Sequence, residues 1–272
     1  MVDEETGSKA KEEEIVMKSN SLDIASPNLQ VNLPCGYVDT EEILHEDCIV
    51  REMTGQEEDL LTGRGSVVNR LNAIISNCIV KLGTISDKQI IDKAVNKLTG
   101  QDRMAILIGI RRASLGDFYD MTVTCPSCKA EQHMSVNLAD IDIIPMPDRF
   151  KREHETTLPS GKVVKWHVLD TADEEWLSSK KRKYKEDVMS LNFLSRVDVV
   201  DKQVIERERK YKHSLQVFKK LSLRDRNYLR DVFDKNEGDV DRTVEFECES
   251  CGRTWEGEIE VSQSNFFFPS VS

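Results

Sequence analysis

The chain has 272 residues, of which 32% are charged and 39% hydrophobic, and its formal net charge is −11 at pH 7. This length can bury a hydrophobic core without disulfides, and the negative charge argues against a general attraction to nucleic acid. No apolar stretch approaches the roughly 20 residues that span a bilayer. The composition therefore predicts a soluble protein whose partners are other proteins and which has no membrane span.

Residues 1–27 carry clustered acidic side chains and no sustained apolar period. Such a composition buries too little apolar surface to offset the entropy of ordering, so we expect a flexible acidic tail. The same segment has no basic start followed by an apolar stretch, and thus no secretory signal. We therefore expect a reducing compartment, in which the seven cysteines bind metal or stay free rather than form disulfides.

Residues 28–262 are predicted to form a single α+β domain that opens with a β-hairpin. Leu29, Val31 and Leu33 alternate with polar residues, a Pro-Cys-Gly turn follows, and a return strand is expected near "EDCIVREM".

Helices are predicted over about 65–115. Apolar residues recur at three- and four-residue intervals from Val67 to Leu82, and Gly83 is placed to end that helix. The segment "SDKQIIDKAVNKLTG" predicts a second helix that ends at Gly100. The next helix is apolar nearly all round from 104 to 110, which predicts that it is buried.

The second half of the domain is predicted as a hairpin followed by a charged helical insertion. The strands "HETTL" and "KVVKWHVL" flank the turn "PSGK", and helical patterns dominate from about 171 to 236. Within the insertion, the basic run "SSKKRKYKED" suggests either nucleic-acid contact or a solvated helix face. The acidic residues that follow it favour the solvated face.

Two Cys-x-x-Cys pairs, each between predicted short strands, are the main chemical signal. The four cysteines are Cys125, Cys128, Cys248 and Cys251. Two such pairs facing each other supply tetrahedral sulfur ligation, for which Zn²⁺ is the usual occupant and an iron–sulfur centre the alternative. The sequence therefore predicts a zinc ribbon split into two parts, at about 117–140 and 242–262, by the long insertion between them.

The predicted zinc is structural, because four thiolates fill the coordination tetrahedron and leave no position for a catalytic water. A thioredoxin-like redox dithiol is the main alternative, but that motif begins a helix, whereas strands are predicted on both sides here. Neither nucleotide-binding motifs nor the G-x-S-x-G and HExxH motifs occur, which argues against an enzyme. His133, the histidine nearest a pair, is interpreted as a surface residue of the hairpin.

Residues 263–272 form an aromatic C-terminal segment, "QSNFFFPSVS". Its three consecutive aromatic residues, Phe266, Phe267 and Phe268, are candidates for binding a partner protein. Docking onto the protein's own core is an equally good interpretation.

Three segments resemble the family of T4-like bacteriophage baseplate hub subunits, found among contractile-tail genes. They are "LPCGYVDTEEILHEDCIVREMTGQEEDLL", "LNAIISNCIVKLG" and "LTGQDRMAILIGIRRASLGDFYDMTVTCPSCKAEQHMSVNLADIDI". The likeness covers roughly residues 30–170, is looser through the charged helices, and returns at the second Cys-x-x-Cys and the aromatic C-terminus.

The resemblance implies a structural protein of the virion that helps to build the hub beneath the tail tube. It implies other baseplate, hub and tail proteins as partners, and a location in the tail baseplate, with the host cytoplasm as the site of assembly. Two alternatives stay open: an assembly chaperone that is not retained in the virion, and a zinc-ribbon accessory protein that binds nucleic acid. The second would need a basic strip beside the ribbon, where the sequence instead has glutamates.

Overall fold

The computed structural model describes residues 28–63, 66–208, 211–261 and 264–267. The predicted acidic tail at 1–27 and Phe268 lie outside the described residues. The α+β class is confirmed: helices pack against several small antiparallel sheets. None of the helices in the described ranges is long and apolar enough to cross a membrane.

The strands are β1 Asn28–Val38, β2 Leu44–Arg51, β3 Ile79–Leu82, β4 Phe118–Thr124, β5 Glu131–Asn137, β6 Asp142–Ile144, β7 Glu153–Thr157, β8 Val163–His167, β9 Val197–Val200, β10 Gln203–Val204, β11 Asp239–Asp241, β12 Thr243–Glu247 and β13 Thr254–Glu258. The helices are α1 Gly55–Thr62, α2 Val67–Cys78, α3 Lys88–Val95, α4 Gly100–Leu115, α5 Thr171–Lys183, α6 Val188–Leu194, α7 Tyr211–Lys219, α8 Leu223–Asn236 and α9 Ser264–Phe267.

The first hydrophobic core lies between the sheet β1–β2–β3 and the helices α2, α3 and α4. The prediction that α4 is buried is confirmed, since the residues from Ala105 to Arg111 are all buried. Gly100 begins this helix and does not end the previous one, because Thr99 and Asp102 form a capping box at its start.

The predicted Pro-Cys-Gly turn is wrong, because β1 continues through these residues to Val38 and turns only afterwards. The strand is irregular there, and Gly36 has a φ of +70°. The backbone N–H groups of Cys35 and Gly36 donate to the buried carboxylate of Asp102, over 2.8 and 3.0 Å. The irregularity thus turns two amides away from the sheet and onto the start of α4.

Helix α2 ends at Cys78, four residues before the predicted end, and the chain continues as β3. Ile79 and Leu82 are buried in β3, and the predicted helix would also place them on its apolar face. Their spacing therefore does not distinguish a helix from a strand. The unpaired edge of β2 decides the outcome, because β3 satisfies its backbone groups. Gly83, with a φ of +52°, therefore ends a strand.

The second hydrophobic core lies in the inserted segment between β6 and β11, with Cys35 of β1 as its one described member from outside. The predicted hairpin is confirmed as β7 and β8, and it extends into a four-stranded sheet of order β10–β9–β8–β7. Strands β9 and β10 were not predicted from the sequence. Trp166 on β8 is buried against Phe233 of α8, with ring centroids 4.8 Å apart, so the helices α5–α8 share this core with the sheet.

The two ends of the insertion lie side by side. Strand β6, which leads into it, pairs antiparallel with β11, which leads out, so that Ile144 is opposite Asp239. One hairpin, β4–β5, precedes this pair in the chain, and the other, β12–β13, follows it. The pairing of β6 with β11 therefore brings the two hairpins to the same part of the molecule.

Candidate metal centre

The first Cys-x-x-Cys forms the turn between β4 and β5. The N–H of Cys125 donates to the carbonyl of Ala130 over 2.9 Å, and the N–H of Lys129 donates back to the carbonyl of Cys125 over 3.1 Å. Lys129 has a φ of +64°, which reverses the chain directly after Cys128. This tight turn leaves both sulfurs on one side.

The second Cys-x-x-Cys forms an equivalent turn between β12 and β13. Here the N–H of Cys248 donates to the carbonyl of Arg253 over 2.9 Å, and the N–H of Gly252 donates to the carbonyl of Cys248 over 2.8 Å. Gly252 has a φ of +68° and occupies the position that Lys129 has in the first turn. The two turns are therefore repeats of one backbone geometry.

The four predicted sulfurs come together, and each lies within 4.8 Å of the others. Sγ of Cys125 is 3.8 Å from Sγ of Cys251, and Sγ of Cys128 is 3.6 Å from Sγ of Cys248. These separations are far longer than a disulfide bond, and all four cysteines are free thiols. Among the described residues, this is the one group of histidine, cysteine and acidic side chains placed to hold a metal ion.

The pKa values of Cys125 and Cys251 are shifted in opposite directions. The backbone N–H of Cys128 is the main cause that lowers the pKa of Cys125 to about 6. The Arg253 amide favours the thiolate of Cys251, but hydrogen bonds with the neighbouring cysteines outweigh it and raise the pKa of Cys251 to about 12. A cation between the sulfurs would favour the thiolate of Cys251 at neutral pH.

Gln132 joins the two hairpins beside the sulfurs. Its Nε2 donates to the carbonyl of Glu247 over 2.7 Å, and its Oε1 accepts from the N–H of Glu249 over 3.1 Å. The side chain is buried, on the same face of β5 as Met134 and Val136. The sequence did not identify Gln132 as a site residue, although a polar residue in that inward-facing series was a usable signal.

The other predicted candidates lie outside the sulfur cluster. His133 is exposed and contacts Thr122 through its Nδ1, so its interpretation as a surface residue is confirmed. Burial raises the pKa of the remaining thiols, Cys35, Cys48 and Cys78, which makes them poor nucleophiles.

The segment "RRASLGD" connects α4 to the first hairpin and to the C-terminus. The buried guanidinium of Arg111 donates to the carbonyl of Phe266 over 2.9 Å and to those of Gly116 and Phe118 over 3.1 and 3.2 Å. Gly116 ends α4 with a φ of +85°. One arginine therefore fixes the end of a helix, the start of β4 and the C-terminal helix α9.

Phe266 and Phe267 are buried in the protein's own core, which is the second of the two interpretations that the sequence left open. The Phe266 ring lies 5.2 Å from that of Tyr119, between centroids. Docking on the core removes most of the apolar area of these two side chains from water.

A family model described as "T4 bacteriophage base plate protein" matches residues 43–268. The matched range includes both Cys-x-x-Cys turns, the whole insertion and the Arg111 junction. No curated protein and no solved structure matches the chain. Because the match covers most of its length, the chain belongs to the T4 bacteriophage base plate protein family.

Proposed function

We propose that this protein is a non-enzymatic structural subunit of the hub of a contractile phage tail baseplate, held in shape by one zinc ion on Cys125, Cys128, Cys248 and Cys251. The family match over residues 43–268 carries the baseplate role. The hub location, the contractile tail and the zinc ion are the parts that we add to it.

The sulfur geometry supports zinc as the ion. A tetrahedron with Zn–S bonds of about 2.3 Å has edges of about 3.8 Å. Two of the distances between the sulfurs are 3.6 and 3.8 Å, and all of them are within 4.8 Å. Four thiolates and no nitrogen or oxygen ligand favour Zn²⁺ over hard cations. Since four protein ligands complete the tetrahedron, the proposed ion has no position for substrate.

The proposed role of the ion is to lock the two hairpins together. Each hairpin has only two strands, and such a pair is marginally stable by itself in water. The hairpins are separated by the long insertion, so local chain connectivity does not hold them against each other. Ligation from both sides, with Gln132 beside it, gives the insertion a fixed base on the rest of the protein.

Protein partners are favoured over nucleic acid because the surface of the hairpins is acidic. Exposed glutamates on or beside the two turns are Glu131, Glu245, Glu247, Glu249, Glu256 and Glu258. Phosphate contacts need lysine and arginine, whose binding releases counterions. Filter binding with DNA and RNA at near-physiological salt should show no tight binding, and tight, steeply salt-dependent binding would support the nucleic-acid alternative.

The baseplate role is tested by purifying tails from infected cells and combining mass spectrometry of their components with electron microscopy. We expect the protein in finished tails, at a fixed copy number, with density at the hub. A protein found in assembly intermediates but absent from finished tails would instead support the chaperone alternative.

A further inference from the structure

A groove of about 870 Å³ lies where the insertion faces α2. The apolar part of its lining consists of the half-buried Val68 and Leu169 and the buried Leu177, Phe193 and Phe233. The guanidiniums of Arg230 and Arg196 lie over the rings of Phe193 and Phe233, respectively. Val68 belongs to α2 and Leu169 to the insertion, so both parts of the chain contribute to the lining. Helix α5 is held at this position because Glu174 pairs with Arg103 of α4.

The rim of the groove is basic, in contrast to the net charge of −11 for the whole chain. Five cations line it, namely Lys181, Arg182, Lys185, Arg196 and Arg230, against the two carboxylates of Glu174 and Asp234. Three of these cations come from the basic run that the sequence singled out. The run is thus one wall of a groove as well as a solvated face.

Most of this positive charge has no acidic partner among the described residues. Arg196 is paired with Glu237 at 2.7 Å, and Glu174 is already engaged by Arg103. Lys181, Arg182 and Lys185 form no ion pair within the described ranges. A surface with a partly apolar lining and unpaired cations fits a peptide that carries apolar side chains next to carboxylates.

We propose that this groove binds residues 12–17 of the same chain, "EEEIVM". This segment places three carboxylates directly before Ile15, Val16 and Met17. The carboxylates match the rim cations, and the apolar side chains match the half-buried Val68 and Leu169 of the lining. The other acidic cluster of the N-terminal segment, residues 3–5, is followed by Thr-Gly-Ser and so has no apolar side chains next to its carboxylates.

The chain between residue 17 and β1 is long enough to reach the groove. Strand β1 runs antiparallel to α4, since Cys35 contacts Asp102 near the start of that helix and Met53, beside the start of β1, bonds Ser114 near its end. From Arg103 to Ser114 the helix rises about 16 Å. The eleven Cα–Cα steps from Met17 to Asn28 span up to about 36 Å, which covers that length and the width of a helix.

The mixed lining favours a peptide over a nucleic acid as occupant. Asp234 on the rim would repel a phosphate backbone, and the phenylalanines of the lining are buried below the rim, where stacking on a base needs an open ring face. A peptide tolerates one carboxylate among several cations and places aliphatic side chains against the apolar part of the lining.

Hydrogen–deuterium exchange on the full-length protein tests the proposal. At low salt we expect the amides of residues 12–17 to exchange about tenfold more slowly than those of residues 3–8, the scale of a few exposed ion pairs with partial apolar burial. Lys181→Glu with Lys185→Glu should abolish the difference, and so should 0.5 M salt or Glu12, Glu13 and Glu14→Lys. A variant with both the lysine-to-glutamate and the glutamate-to-lysine reversals should recover part of the protection of residues 12–17.

Two matched controls separate groove binding from a general charge effect. Lys93→Glu on α3 with Lys97→Glu just after it makes the same change in net charge outside the groove, and this variant should keep the protection. Reversing Asp3, Glu4 and Glu5 to Lys should also keep it. Equal exchange of residues 12–17 and 3–8 in the unaltered protein, or loss of protection in either control, would overturn the proposal.

Carboxyl-to-amine cross-linking of a mixture of isotope-labelled and unlabelled chains tests whether the contact is within one chain. We expect links from residues 12–14 to Lys181 or Lys185 within a single chain. Links found only between labelled and unlabelled chains, or only to another protein added to the mixture, would overturn the intramolecular contact.

Discussion

At the scale of single residues, Gly109 shows how a missing side chain sets the packing of the first core. A Cβ at this position would collide with Cγ2 of Val31, and Val50 lies just beyond. The glycine lets α4 lie directly against β1 and β2. From the sequence, Gly109 was only a weak point in a helix, because its partner on β1 is 78 residues earlier in the chain.

Gly109→Ala is therefore expected to destabilise the fold by roughly 1–3 kcal/mol, since overpacking outweighs the gain of about 1 kcal/mol in helix propensity. Denaturant unfolding measures the change. Gly55→Ala is the control, because a Cβ there meets nothing within 4 Å, and it should be neutral or slightly stabilising. Adding Val31→Ala should recover part of the loss in the double variant. A stabilised Gly109→Ala protein would contradict this packing.

Gln132 is the residue of the site that sequence reasoning missed, and it carries the second prediction at this scale. Gln132→Ala leaves the N–H of Glu249 and the carbonyl of Glu247 without their partner, at a cost of about 1–3 kcal/mol. Because Gln132 supports the ligand turns, metal affinity should also fall by roughly 10–100-fold, as measured by competition with a chelator.

His133→Ala is the matched control, because the neighbouring side chain is exposed and contacts only Thr122 in the described structure. Its stability should stay within about 0.5 kcal/mol of the unaltered protein. Equal effects of the two substitutions would show that Gln132 does not join the hairpins in the way described.

At the scale of elements, local signals predicted the helices better than the strands. The buried helix α4 follows from its sequence, and its start is encoded by the Thr99–Asp102 capping box, which the prediction overlooked in favour of Gly100. Strand β3 was missed because its buried residues also fit a helix, and only pairing with β2 decides between the two. Strand β9 pairs with β8, more than 30 residues earlier, and no local pattern encodes that partner.

Contacts between residues far apart in the chain were also missed at the metal site. Each Cys-x-x-Cys turn was predicted because its residues are close in sequence. The Gln132 bridge was not, because its acceptor on Glu247 is 115 residues away. The burial of Phe266 also depends on a distant contact, with Arg111.

A charged cluster around His167 joins β8, β9 and the start of α5. Nδ1 of His167 contacts Asp198 at 2.7 Å, Nε2 contacts Asp173 at 3.2 Å, and Arg207 also pairs with Asp173. Burial by itself lowers the pKa of His167, but the two carboxylates outweigh it and raise this pKa to about 9. Nη2 of Arg207, 3.0 Å from Nε2 of His167, opposes the positive charge, but two carboxylates against one guanidinium still favour the protonated ring. The cluster therefore stabilises the insertion while the imidazole carries its proton.

Stability should consequently fall at alkaline pH. Because the folded-state pKa of His167 lies above the unfolded value of 6.5, its contribution is complete below pH 6.5 and is lost as the pH rises through about 9. The loss is about 3 kcal/mol at most, at 1.36 kcal/mol per pKa unit. His167→Asn should flatten the free energy of unfolding over this range, whereas His133→Asn should leave the slope unchanged. An unchanged slope in His167→Asn would contradict the assignment.

At the scale of the whole molecule, two hydrophobic cores are joined by the β6–β11 pair, and the metal site lies on the hairpins beyond that pair. The site therefore lies outside the core of the insertion, which contains Trp166, Phe193 and Phe218. Metal loss should affect the hairpins first and leave this core intact.

Removal of the metal with a chelator should raise amide exchange in β4, β5, β12 and β13 by about a hundredfold or more, because isolated two-stranded hairpins are marginal. Exchange in β8 should change little. Cys128→Ser with Cys251→Ser should reproduce this pattern without chelator, and Cys78→Ser, at a buried thiol of the first core, is the control that should not. Exchange rising equally throughout the chain would show that the metal holds the whole fold.

X-ray absorption at the zinc edge of the purified protein tests the central claim most directly, because it reports which atoms ligate the ion and at what distance. We expect one zinc per chain surrounded by four sulfurs at about 2.3 Å, with no lighter ligand. Ribbon hairpins that stay fully folded in protein without bound zinc, or a zinc ion with an oxygen or nitrogen ligand in place of a sulfur, would contradict a closed structural site.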